Sequence, residues 1–209
     1  MATNPSKKEI AGILIENGRL SFDDLYEPTA SVEGGRLKYR CNIIIDPTTD
    51  TGKRNIKKIE NLIKQVELEK FKKSPATYKT DDRKCFVDGD SCVNQKTGEV
   101  YDGYAGMMIL KAANDKRPAV VDRDAQTPIY AEDNKTYAGC YCNYFIRIYA
   151  VMGADKGGNG IFASLETVQF VKDGEPFGGA PVDPKSVFKN LEKDGGSDDE
   201  AGDEEDPLA

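Results

Sequence analysis

Residues 137–151 read YAGCYCNYFIRIYAV, and the stretch alternates from end to end. Along a β-strand, successive side chains point to opposite faces. Ala138, Cys140, Cys142, Tyr144, Ile146, Ile148 and Ala150 therefore share one face, apolar enough for a core. Tyr137, Gly139, Tyr141, Asn143, Phe145, Arg147, Tyr149 and Val151 share the other. That second face is aromatic but cut by a guanidinium and an amide. It is too sticky for an open surface and too polar for a dry core. Bases stacked on its rings, with the Arg beside their backbone, would use such a face. A strand buried on both sides in a sandwich is the competing reading.

Working outward, the nearest strand of similar quality is GRLKYRCNIIID at 35–46. Leu37, Tyr39, Cys41, Ile43 and Ile45 form its apolar face, and Lys38, Arg40, Asn42, Ile44 and Asp46 the other. Lys38 and Arg40 would neutralise phosphates beside the aromatic strand if the two share a sheet. Tyr141, Phe145 and Tyr149 would stack on bases, and Arg147 could do either. A first short strand is expected within 18–28, with Leu20 and Phe22 spaced by two. Residues 52–73 carry apolar residues three or four apart (Ile56, Ile59, Ile63, Val66), which predicts an amphipathic, Lys-rich helix capped by Asp50 or Thr51. Ser74-Pro75 ends it. Residues 85–93 predict a short β segment broken at Gly89, residues 104–112 a third clear strand and residues 118–122 a fourth. Residues 160–175 predict a last strand with imperfect alternation, hence a bulge or a strand buried on both faces.

The fold expected is mainly β: a five-stranded OB-fold barrel with a long helix inserted between strands, followed by a disordered acidic C-terminal tail. A β-sandwich is the alternative. Residues 1–18 would be a lead-in, 19–180 the barrel, 181–193 a short helix or linker capped by Asp183, and 194–209 the tail.

The net charge of −7 belongs to that tail. Of 36 acids, eight lie in 194–209 with no Lys or Arg among them, leaving 28 against 29 bases in the body. Asp198, Asp199, Glu200, Asp203, Glu204, Glu205 and Asp206 resemble a phosphate backbone electrostatically. They could compete with DNA for a cationic groove and recruit a basic partner.

Five cysteines and no histidine exclude Ser-His-Asp and Cys-His nucleophile systems. An odd cysteine number predicts free thiols. Cys85, Cys92, Cys140 and Cys142 could in principle supply four thiolates, but Cys140 and Cys142 sit among Ile and Ala on one strand face, where a thiol behaves as a small hydrophobe. No metal or other cofactor is therefore expected. Asp88, Asp90 and Asp122 raise a Mg²⁺ nuclease as an alternative, although Asp-Gly-Asp is also a common turn. No apolar run reaches the length of a membrane span. The opening MATNPSKKEI has no apolar signal segment, which points to the cytoplasm.

Several motifs resemble those of phage-encoded OB-fold single-stranded-DNA-binding proteins with an acidic C-terminal tail. They are SFDDLYEP, NIIIDP running into the Lys-rich helix, VDGDS, YAGMMILKAANDKRPAVVD, YAGCY, RIYAV, GNGIFASL and VQFVKDGEPFGG, which together span about 19–179. The resemblance implies sequence-tolerant binding of single-stranded DNA in phage replication or recombination, within the host cytoplasm, with replication enzymes contacted through the tail. This tail ends Asp206-Pro207-Leu208-Ala209, whereas related tails often finish on an aromatic residue. Homo-oligomerisation is left open. The alternative function is a protein-interaction module or DNA mimic that modulates a host enzyme.

Overall fold

The computed structural model describes residues 12–31, 34–71, 81–178 and Val187. Among these residues, seven strands and one long helix follow one another. They are β1 (Gly12–Thr29), β2 (Lys38–Ile45), α1 (Asp50–Phe71), β3 (Phe86–Asp88), β4 (Met108–Asn114), β5 (Ala119–Val121), β6 (Tyr141–Val151) and β7 (Gly160–Lys172). The sheet order is β3-β4-β2-β1-β6-β7-β5. A parallel pairing of β4 with β7 at Ala112 and Ala163 closes β1, β2, β4, β6 and β7 into a five-stranded OB-fold barrel. By contacts the chain divides into 1–179 and 180–209. The helix expected after Asp183 and the acidic tail lie in the second unit, outside the described residues apart from Val187.

The alternation of β6 decides which way the barrel faces. Cys142, Tyr144, Ile146 and Ile148 are fully buried, and Tyr141, Asn143, Phe145, Arg147 and Tyr149 are half-buried on the outside. Cys41, Ile43 and Ile45 of β2 meet the first set in the core, and Ile59, Leu62 and Val66 of α1 pack against them. Burying such side chains is worth about 1.5–3 kcal/mol each.

β1 is much longer than the sequence suggested. It begins at Gly12, so residues 12–18, expected as a lead-in, belong to the barrel. Its first half pairs with β6 and its second with β2, with register breaks between Ile15 and Gly18 and between Ser21 and Asp24. Asn17 and Phe22, at φ 52° and 49°, mark these two, and a third lies between Asp24 and Thr29. These breaks interrupt the two-residue period and hide the strand. Phe22, two residues after the fully buried Leu20, is 44% exposed.

The edge of β1 not paired with β6 is closed by α1. Asn55 is buried, donates Nδ2 to the Glu16 carbonyl at 2.7 Å and accepts the Glu16 N–H at 3.3 Å. One amide thus replaces a neighbouring strand at that point. The helix is capped one residue earlier than expected: Thr49 Oγ1 accepts from the Gly52 N–H at 3.0 Å. Gly52 packs so tightly on the Asp46 carbonyl that no Cβ fits there.

β4 starts at Met108, four residues later than the strand expected at 104. Tyr104 instead enters a second small core with Ile44, Val87, Cys92 and Ile109. That core covers the outer face of β2 and β4 at one end and leaves the other end open. β3 and the 3-10 turn at Gly89–Ser91 match the broken β segment expected at 85–93. The last strand carries the expected bulge, since Phe145 pairs with Thr167 but Ile146 with Leu165.

Candidate nucleic-acid interface

Where the second core ends, a cleft begins. Two adjoining hollows of about 560 and 470 Å³ run over the outer face of β2 and β4, sharing Ser31, Arg40, Asn42 and Lys111. Lys38, Arg40 and Asn42 stand on alternate positions of β2, and Asn42 is directly opposite Lys111 of β4. The floor is therefore cationic because two strands each place their polar positions on the same side.

Aromatic rings stand at both ends. At one end Phe22 and Tyr101 meet edge to face, with centroids 5.0 Å apart and planes at 85°. The left-handed backbone of Phe22 turns its ring out of the barrel toward the cleft, a conformation that costs a bulky residue about 1–3 kcal/mol. Tyr104 lies beneath. Its hydroxyl donates to Ser21 Oγ at 3.1 Å and accepts from Asn42 Nδ2 at 2.9 Å, which fixes the Asn42 amide in the floor. Burial raises the Tyr104 phenol above its ordinary range, so it stays a donor at neutral pH.

At the other end Tyr149 and Phe162 lie 5.9 Å apart at 34°. Burial, with Asp115 and Cys85 nearby, raises the Tyr149 phenol as well. Arg83 secures this end. It donates to the Lys156 and Gly158 carbonyls at 3.0 and 2.8 Å, and its guanidinium lies 4.9 Å over the Phe162 ring. The connection between β6 and β7 is thereby tied to the cleft wall.

The cleft brings together three of the residues picked from the sequence, Lys38, Arg40 and Tyr149, in one hollow. Tyr141, Phe145 and Arg147 lie elsewhere. Tyr141 borders a separate hollow of about 270 Å³ near the start of α1, with Lys172 Nζ 4.6 Å over its ring. Phe145 covers Gly12, where a side chain would strike the ring. Arg147 Nε is 3.9 Å from Glu166. These three form a strip on the outer face of β1, β6 and β7. The tail carboxylates Asp198, Asp199, Glu200, Asp203, Glu204, Glu205 and Asp206 lie outside the described residues.

Phe22, Asn42, Tyr101, Lys111 and Phe162 were not picked out. Lys111 carried a signal: it is a single cation in the apolar run MMILKAA, on the same strand face as Ala113. Phe22 and Tyr101 carried none, because a bulge and a loop place them.

The carboxylates proposed for Mg²⁺ are committed separately. Asp88 Oδ1 accepts from the Asp90 N–H, Asp90 Oδ1 from the Gly106 N–H, and Asp122 binds Lys135, which holds its carboxyl below the usual range. Cys85 belongs to the barrel core and Cys92 to the second core, so the four thiols do not converge. Cys140 and Cys142 lie side by side in the barrel core, Sγ to Sγ at 3.7 Å. No group of three or more metal-ligating side chains occurs among the described residues. Nor is any helix among them long and apolar enough to cross a membrane.

Fold and cleft together define an OB-fold barrel whose open face, across its second and third barrel strands, is the one such barrels use for oligonucleotides. The family model described as the ssDNA-binding protein of Enterobacter phage Enc34 matches residues 11–201, and the chain belongs to that family. Putative protein p50 of Acyrthosiphon pisum secondary endosymbiont phage 1 is 39% identical over 186 residues, covering 86% of this chain and 93% of that protein. The single-stranded DNA-binding protein of bacteriophage Enc34, solved in complex with ssDNA, superposes with a TM-score of 0.64 at 26% identity, over 80% of this chain and 89% of that one. The single-stranded DNA binding protein gp2.5 of bacteriophage T7 shares the fold, with a TM-score of 0.52 at 14% identity over 87% and 96% of the two chains.

Proposed function

We propose that this chain binds single-stranded DNA along the cleft over β2 and β4, with weak sequence preference and no chemistry of its own. The observation that carries this reading is the cleft itself: a cationic floor with an aromatic pair at each end. Rings accept any base, because every base has a π-face, and each stacked base contributes about 1–3 kcal/mol. Lys38, Arg40 and Lys111 meet phosphates, while Tyr149, Phe162, Phe22 and Tyr101 hold bases. The Enc34 relative solved in complex with ssDNA supports single-stranded DNA as the ligand. Tyr141, Phe145 and Arg147 would extend the path only for a strand that wraps around β6.

The acidic tail is read as a competitor for the cleft and a recruiter of phage replication proteins in the host cytoplasm. Support comes from charge: eight carboxylates follow a body with 28 acids and 29 bases. Titrating full-length protein into fluorescent oligo-dT at two salt concentrations tests the main reading. Binding that weakens steeply with salt is expected. Oligo-dT left unbound at low salt would exclude the cleft as a DNA path.

A further inference from the structure

Two cations of the cleft, Arg40 and Lys38, already have carboxylate partners. Asp24 of β1 pairs in register with Arg40, and its Oδ2 lies 3.7 Å from Arg40 Nε. That Nε is buried and makes no hydrogen bond. The same guanidinium donates through Nη2 to the Thr29 carbonyl, and the Thr29 hydroxyl donates to Asp24 Oδ2 at 2.5 Å. Asp115, just beyond β4, is 3.1 Å from Arg36 and 3.9 Å from Lys38. Two carboxylates thus hold three cations at the mouth and floor of the cleft.

We propose that Asp24 and Asp115 are resident counter-ions that compete with DNA phosphates for Arg36, Lys38 and Arg40 and thereby set the affinity of the cleft. The proposal rests on the reading of the cleft as the path of a single strand. A phosphate that reaches Arg40 or Lys38 must displace the carboxylate or sit beside it, and two anions sharing one cation repel each other. Displacing Asp24 costs Arg40 Nε no hydrogen bond, since it makes none. Each displaced carboxylate then draws a cation from solution, which offsets one released from the DNA. The salt dependence is therefore shallower than the number of Lys and Arg in the cleft suggests.

The arrangement also selects for length. A free inorganic anion must displace a tethered carboxylate alone, against its high effective concentration. A strand that touches several cations and stacks its bases does so with all its contacts at once. The two acids thus favour long single strands over small phosphates.

The test titrates oligo-dT into full-length wild type, Asp24→Asn, Asp115→Asn and Glu60→Gln across a salt series. Asn keeps the size of Asp24 and an acceptor for the Thr29 hydroxyl. Asp115 is about half exposed, so its variant does not threaten folding. Glu60, exposed on α1, controls for net charge. The two Asn variants are expected to bind about two- to fivefold tighter at low salt. Their log–log salt slopes are expected to steepen by about 0.7 each, with Glu60→Gln moving less than either. No binding by wild type would remove the DNA reading itself. Wild-type binding with no tightening in either Asn variant, or equal tightening in Glu60→Gln, would overturn the counter-ion proposal alone.

Discussion

Phe22 shows at a single residue how the site is made. A bulky side chain with φ 49° is a strained choice in a strand, and here it places a half-exposed ring against Tyr101 at the end of the cleft. Glycine takes the same backbone without strain. Phe22→Gly should therefore weaken oligo-dT binding by about 1–3 kcal/mol. Its unfolding free energy should stay within about 1 kcal/mol of wild type, since relief of strain offsets the lost ring contacts. Unchanged affinity would show that this ring does not meet a base. Tyr149→Ala and Phe145→Ala separate the cleft from the strip that Tyr141, Phe145 and Arg147 form. The first should lose about 1–3 kcal/mol of binding in fluorescence titration, and the second less than about 0.5 kcal/mol. The reverse order would move the DNA path to the strip around Phe145 and Arg147.

At the scale of elements, what could be read from the chain followed its periodicity. β6 and β2 alternate without interruption, so their core faces, and with them Lys38, Arg40 and Tyr149, were legible. The three- and four-residue spacing of Ile56, Ile59, Ile63 and Val66 defined α1 within two residues at either end. β1 was legible only in part, because bulges at Asn17 and Phe22 reset its alternation twice. Tyr104 looked like strand because it precedes one, although its turn delivers it into the second core. The cleft was legible only in halves: its floor comes from two strands, but its aromatic ends depend on a bulge, a loop and a closure between residues 51 apart in sequence (Ala112 with Ala163). Asn55 joins two of these elements. Asn55→Leu should destabilise the protein by about 1–3 kcal/mol in urea unfolding, because the Glu16 backbone groups lose their partner. The folded variant should keep its affinity for oligo-dT. An unchanged midpoint would mean that water replaces the amide without loss.

Across the whole molecule, the core and the charge balance each set a measurable property. Cys41 and Cys85 are buried, and burial raises both thiols, Cys85 to about 12 from an ordinary value near 9. The folded state thus holds protons that the unfolded chain releases above about pH 9. The stability due to these thiols is complete below that pH and is lost as pH rises toward about 12. Unfolding free energy should fall across this window, and Cys85→Ala should fall less steeply than wild type. Equal slopes would show that the Cys85 thiol does not titrate there. The body is near neutral and the acids are concentrated at 194–209, so a chain cut after Lys193 should bind DNA more tightly than the full chain. Equal affinities would rule out competition by the tail. The central claim, that single-stranded DNA lies on the cationic floor between β2 and β4, is tested most directly by a salt series of oligo-dT titrations on wild type and Lys111→Ala. Binding by wild type should fall steeply with salt, and loss of Lys111 should flatten the log–log slope by about 0.7. Absent or salt-independent binding by wild type, or an identical slope in the variant, would contradict it.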